Sequence, residues 1–266
     1  MTVPQRSALS GPTLIRLLAR LTDSNVAEPA QTLSQRLSGW LDWTDAIALS
    51  SALGGGASAV VVADAQPLGT AEACESECDR VRATLARAIA RDSTLMPARS
   101  ATRGTHGRAS ILAHAPQRND KGDDAADYTL FRQCYLSLQQ SMETHIGNLR
   151  RRLRATLAMR SSAMGRLAMV DAAMERALEA REQHLLSSAP VALRGHFERL
   201  RTAEAERLAQ GQAQPQAQAQ AQGRLPTIEP GAWLDTFRYD MQCVLHAELD
   251  LRFQPVQGLL AALRTS

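Results

Sequence analysis

Residues 127–158 read DYTLFRQCYLSLQQSMETHIGNLRRRLRATLA. Within them Tyr135, Leu138, Met142, Ile146, Leu149, Leu153 and Leu157 recur at steps of 3, 4, 4, 3, 4 and 4 residues. That period is near the 3.6 of an α-helix and far from the 2 of a strand. With Asp127 as N-cap, the run predicts one nearly straight helix of about 33 residues, about 50 Å long.

The pattern continues on the C-terminal side. Ser161, Ser162 and Gly165 mark a break, after which Leu167, Val170, Met174, Leu178 and Leu185 form a second stripe reaching Ser187. Pro190 then opens a third segment through Phe197, Leu200 and Leu208. Residues 125–209 are therefore expected to fold as a long helical hairpin, the core of an all-α bundle. An Ala-Gln alternation over 210–222, interrupted by Pro215, has no apolar face to bury, and 210–229 reads as a tether. In 230–266, Trp233, Phe237, Met241, Leu245 and Leu249 mark a helix that docks back on the core, with Pro255 dividing it from a short terminal helix.

On the N-terminal side, 92–124 loses periodicity and is expected to be a disordered linker. In 70–91, Cys74, Cys78, Val81, Leu85 and Ile89 line one face of a further helix. Residues 54–69 begin Gly54-Gly55-Gly56 and read as a Gly-rich linker, with a short strand over 57–67 as the alternative. The 1–53 segment contains two helices, one from Gly11 and one from near Pro29. The second places Leu33, Leu37, Trp40, Leu41 and Ile47 on one face, where Trp40 and Trp43 would anchor a small core.

Composition supports this reading. Of 266 residues, 35 are Leu and 45 Ala, against 16 Val plus Ile and 10 aromatics, which leaves little material for a sheet. The formal net charge of +3 implies no strong preference for nucleic acid. No apolar run is long enough to span a membrane. The start Met1-Thr-Val-Pro-Gln-Arg lacks a secretory apolar region, and four scattered cysteines suit a reducing compartment, so the expected location is cytoplasmic.

Catalytic patterns are weak. Cys74 and Cys78 are four apart, without the second pair a zinc site needs, and read as core packing. His145 and His184 could meet across the hairpin, but solvated or packed helix histidines are the simpler reading. Gly54-Gly55-Gly56 precedes its apolar run and lacks the lysine of a phosphate loop. Lys121, the single lysine, sits in a polar run unsuited to Schiff-base chemistry. No enzyme activity and no cofactor are expected.

One cluster rises above this background. Between Thr144 and Val170 stand Arg150, Arg151, Arg152, Arg154, Arg160 and Arg166, with no acidic residue among them. These six are the candidate partner- or nucleic-acid-binding residues. Three readings stay open: a solvated face paired with Glu175, Glu179 and Glu182, an acidic protein partner, or phosphate binding. If all six met phosphates, the log–log salt slope of binding would be about −5.

Several stretches resemble a known family. They are Gly-Pro-Thr-Leu-Ile-Arg-Leu-Leu-Ala-Arg-Leu-Thr-Asp from Gly11, Trp-Leu-Asp-Trp-Thr-Asp-Ala-Ile-Ala-Leu-Ser from Trp40 and Met-Glu-Thr-His-Ile-Gly-Asn-Leu-Arg from Met142. His-Phe-Glu-Arg-Leu-Arg from His196 and Glu-Leu-Asp-Leu-Arg-Phe-Gln-Pro-Val-Gln-Gly-Leu-Leu-Ala-Ala-Leu from Glu248 complete the set. Together they resemble a proteobacterial family catalogued as domain of unknown function thirty-three forty-eight, which carries no known catalytic residues. The resemblance implies genes placed beside a MotA-like or ExbB-like membrane protein with a long tail and a MotB-like partner, a setting similar to Zorya anti-phage systems. The expectation is a non-catalytic interaction protein, an accessory of such a membrane motor. Its partners would be subunits of the same operon or the motor tail, with self-association possible. The alternative is a nucleic-acid-binding or DNA-sensing subunit.

Overall fold

The computed structural model of the chain describes residues 13–23, 33–54, 65–97, 127–213 and 231–265. Among them every regular element is helical: α1 (Thr13–Leu21), α2 (Leu33–Trp40), α3 (Trp43–Gly54), α4 (Ala71–Arg91), α5 (Tyr128–Ala158), α6 (Ser162–Leu186), α7 (Ser188–Ala213) and α8 (Ala232–Thr265). The fold is all-α, as composition and periodicity require. Most of the Gly-rich linker, residues 98–124 of the expected disordered linker and the tether from 214 lie outside the described residues.

α5 is the axis of the molecule. The Asp127 carboxylate caps it by accepting from the Thr129 N–H at 2.9 Å. All seven residues of the predicted stripe, Tyr135 to Leu157, are buried. α8 lies parallel to α5, and α4 runs antiparallel to both. The order of cross-links shows this: between α4 and α8, Arg264 meets Glu75 at 2.6 Å, Arg82 meets Asp250, and Arg238 donates to the Thr94 carbonyl at 3.2 Å, whereas between α5 and α8 Phe131 meets Phe237 and Tyr135 meets Glu248. Where α5, α7 and α8 converge, Phe237 meets Phe197 and Phe131 edge-on at centroid distances of 5.0 and 5.1 Å. Tyr128 and Trp233 close this aromatic cluster around Phe197.

α6 returns along α5 after a tight break. The Ser161 hydroxyl accepts from the Met164 N–H at 3.2 Å, so the expected break at Ser161 and Ser162 is a helix cap. At Ser187 the chain bends into α7, and Tyr128 hydroxyl donates to the Pro190 carbonyl, fixing the start of α7 against the start of α5. His196, bonded to Asp240 at 2.8 Å, ties α7 to α8.

Four expectations need correction. First, Pro255 does not divide α8, which is continuous for 34 residues with the proline inside it. The missing N–H and ring clash cost about 3 kcal/mol in a helix interior. Leu249, Phe253, Val256, Leu259 and Leu263, buried on both sides of the proline, offset it at roughly 1.5–3 kcal/mol each.

Second, the helix expected from near Pro29 breaks in two at Leu41-Asp42. Asp42 and Asp45 cap each other: the Asp45 N–H donates to the Asp42 carboxylate at 2.7 Å, and the Asp42 N–H to Asp45 at 3.3 Å. This reciprocal cap turns Trp43 outward, 80% exposed, so Trp40 and Trp43 do not anchor a shared core.

Third, the α6 stripe is not its buried face. Leu167 and Leu185 are exposed, whereas Ala168, Ala173 and Leu186 are buried. α6 is gripped between α5 and α3, and contact on two sides favours small residues that let backbones approach.

Fourth, the chain just after α4 is ordered. The Asp92 carboxylate accepts from the Thr94 N–H at 2.8 Å, Leu95 is buried, and Gln242 donates to the Leu95 carbonyl at 3.2 Å. Side chains of α8 some 145 residues away satisfy this backbone, a partner that local composition cannot reveal.

Candidate functional site

The six arginines of the predicted cluster divide into two sets. Arg150 and Arg154 point between α5 and α6, where Arg150 meets Asp171 at 2.8 Å and Glu175 at 3.1 Å. Arg154 meets the same two carboxylates at 3.1 and 2.6 Å. Two guanidinium groups and two carboxylates cancel there, largely shielded from water. Arg152 reaches Glu77 of α4 at 2.8 Å, and Glu77 also binds Arg80 at 2.7 Å. Those hydrogen bonds, Arg80 first, hold the Glu77 carboxyl below its ordinary range. Arg151, Arg160 and Arg166 remain exposed. Among the described residues Arg151 donates only to the neutral Asn148 side chain.

The residues expected to neutralise the cluster also divide. Glu175 does so, while Glu182 reaches Arg252 of α8 at 3.1 Å instead. Arg252 also binds Glu248 at 2.9 Å. Glu248 is fully buried and accepts from the Tyr135 hydroxyl at 2.5 Å and from Gln139 at 2.9 Å. A buried carboxylate persists only with such partners. Burial first, then the Glu248 charge, pushes the Tyr135 phenol up, which keeps its proton in place as the donor. Sequence reasoning missed this network. Its one signal was a glutamate three residues after Leu245 and one before Leu249, within the apolar face of α8.

The thiols are quiet. Cys74 and Cys78 are buried on α4, and burial pushes both up, Cys78 to about 12. Cys134 is likewise pushed up to about 12, by burial first and then by Asp92. High thiol pKa values suppress the thiolate needed for nucleophilic attack or metal ligation. Among the described residues no group of three or more His, Cys, Asp or Glu could hold a metal ion. His145 engages the Ser141 carbonyl at 2.7 Å within its own helix.

Two surfaces remain. On α3 only Ala52 is fully buried, and Trp43, Ile47 and Leu53 are 80, 53 and 70% exposed. At 100° per residue these three fall within about a third of the helix circumference, with exposed Ala46 and Ser50 between them and no charge among them. The second is a groove of about 760 Å³ where α5, α6 and α8 meet, with Trp40 at its rim. The Arg181 guanidinium lies over the Trp40 ring, 5.2 Å from its centroid. No helix among the described residues is long and apolar enough to cross a membrane.

The model of a family described as "Protein of unknown function (DUF3348)" matches residues 1–265, and the chain belongs to that family. No curated protein and no solved structure matches it.

Proposed function

We propose that this member of the DUF3348 family is a non-catalytic interaction subunit that docks onto another protein through α3. The uncharged outer face of that helix, Trp43, Ala46, Ile47, Ser50 and Leu53, carries the reading. A contiguous exposed apolar patch is characteristic of a surface that a partner covers, and a tryptophan at its end is the residue type most enriched among binding hot spots. The use of polar groups elsewhere supports a role without chemistry: Glu248 and Tyr135 are sealed and mutually satisfied, and the buried thiols are held protonated.

The family resemblance supplies the specific partner in this proposal. It is the cytoplasmic tail of a MotA-like or ExbB-like membrane protein in a Zorya-type anti-phage system, which places the chain in the cytoplasm as its accessory. The test is co-purification of that tail with the full chain and with Trp43→Ser/Leu53→Ser, whose fold is checked by circular dichroism. Retention by the parent and loss with the folded double variant is the expected result. Equal retention by both, or by neither, overturns the reading. Titration of duplex DNA into the same preparation checks the alternative. Three exposed cations, Arg151, Arg160 and Arg166, would give a log–log salt slope of about −3, against about −5 for all six.

A further inference from the structure

The groove between α6 and α8 is lined by no residue of α3 and has a charge pattern of its own. Its floor is α5, where Gly147 stands half-buried, and a Cβ built there meets nothing within 4 Å. Ile146, Leu178, Leu186, Leu251 and Pro255 give it apolar walls.

The hairpin register fixes which charges share an end. Arg150 and Arg154 pair with Asp171 and Glu175, so Glu143 of α5 lies level with Glu179 and Glu182 of α6, and Arg151 level with Arg176. Glu143 and Glu179 have no ion partner among the described residues. Glu182 and the buried Glu248 share the single Arg252, and Arg181 offsets the charge left over. That end is therefore negative. At the other end the Arg150, Arg154, Asp171 and Glu175 quartet cancels, and Arg151 and Arg176 have no carboxylate partner among the described residues. Glu143 and Arg151 are about 12 Å apart along α5, at 1.5 Å per residue.

We propose that this groove seats an amphipathic helix of a protein partner, one that carries a basic and an acidic side chain about two turns apart on its docking face. The match is one of charge and shape together. A helix presents side chains seven or eight residues apart on one face at about that 12 Å spacing. The missing Cβ at Gly147 allows its backbone to come close, and the walls take its apolar side chains. A partner with like charges at both ends would meet attraction at one end and repulsion at the other, which confers specificity more than raw affinity. The inference shares with the preceding one only the premise of a protein partner, because it concerns a different face.

The test uses the full chain and three fluorescent, stapled helical peptides of about fifteen residues, built from Ala and Leu. They differ only at two positions eight residues apart: Lys with Glu, Lys with Lys, and Glu with Glu. Fluorescence anisotropy is expected to show the mixed peptide binding about tenfold tighter than either like-charged one. Gly147→Leu fills open space on a helix, so it should keep or raise the melting temperature while weakening the mixed peptide about tenfold. Arg151→Glu/Arg176→Glu should transfer the preference to the Lys-Lys peptide. Trp43→Ser/Leu53→Ser should leave peptide binding unchanged, so a failure at α3 is told apart from a failure here. Equal binding of all three peptides, no binding of any, or no loss with a folded Gly147→Leu overturns the proposal.

Discussion

α8 and α3 are both apolar helices with a tryptophan in the first turn, and they meet opposite fates. In α8, Trp233 and Phe237 are sealed in the aromatic cluster, and the helix runs unbroken through Pro255 because α4 and α5 cover it on either side. In α3, Trp43, Ile47 and Leu53 stand in water although the helix packs on α6 through its other side. A tryptophan near a helix start thus says little about where it ends up. The number of faces that other helices reach decides whether it stabilises the fold or remains available to a partner.

The contrast can be broken first at its most buried point. Phe237→Ala should cost about 3–5 kcal/mol in urea unfolding, the range for a fully buried Phe, and a much smaller loss would show that the cluster is not the anchor of α8. Arg252→Ala should cost about 3 kcal/mol, because it leaves Glu248 buried without its cation. The double replacement Arg252→Leu/Glu248→Gln, which removes the charge and keeps an acceptor oxygen for Tyr135, should recover most of that loss, and equal losses in both would remove the argument that the unpaired charge is the cause.

Alkaline pH probes the same core. Cys78 and Cys134, pushed up to about 12 from 9.0, stay neutral in the folded chain while the unfolded chain ionises. Their contribution is full below pH 9 and is lost as pH rises toward 12, so a fall on the order of 4 kcal/mol for the two thiols together is expected between pH 9 and 11. A flat profile there would contradict the burial of these thiols.

Smaller effects sharpen the comparison. Pro255→Ala restores a helix N–H and should stabilise by about 2 kcal/mol, the cost of proline less the unfolded-state entropy it removes. Destabilisation instead would mean that the proline ring packs against its neighbours better than an alanine methyl does. Trp43→Ala should change stability by no more than about 0.5 kcal/mol, as for an exposed side chain. A loss of several kcal/mol would place Trp43 in the core and remove α3 as a docking face.

Legibility followed the range of the interactions. The α5 stripe, the cap at Asp127 and the break at Ser161 were readable because they depend on side chains within a turn or two. Arg150 and Arg154 were visible as an unneutralised run on α5, and Glu175 could be named as a partner, since a hairpin brings the returning helix alongside. That Glu182 would turn to Arg252, or that Glu77 would claim Arg152, depended on α8 and α4 lying against α5. Gly147 carries no signal in the sequence; only the positions of α6 and α8 around it create the groove.

By itself, then, the order of residues determined the all-α class, the long central helix and its inward face, because helix periodicity and capping are properties of neighbours in the chain. The tertiary structure decided which arginines are spent on internal carboxylates, whether a proline interrupts α8, and which apolar face stays in water. Those outcomes turn on burial and charge pairing between segments up to some 190 residues apart, and such energies exist only once the helices have met.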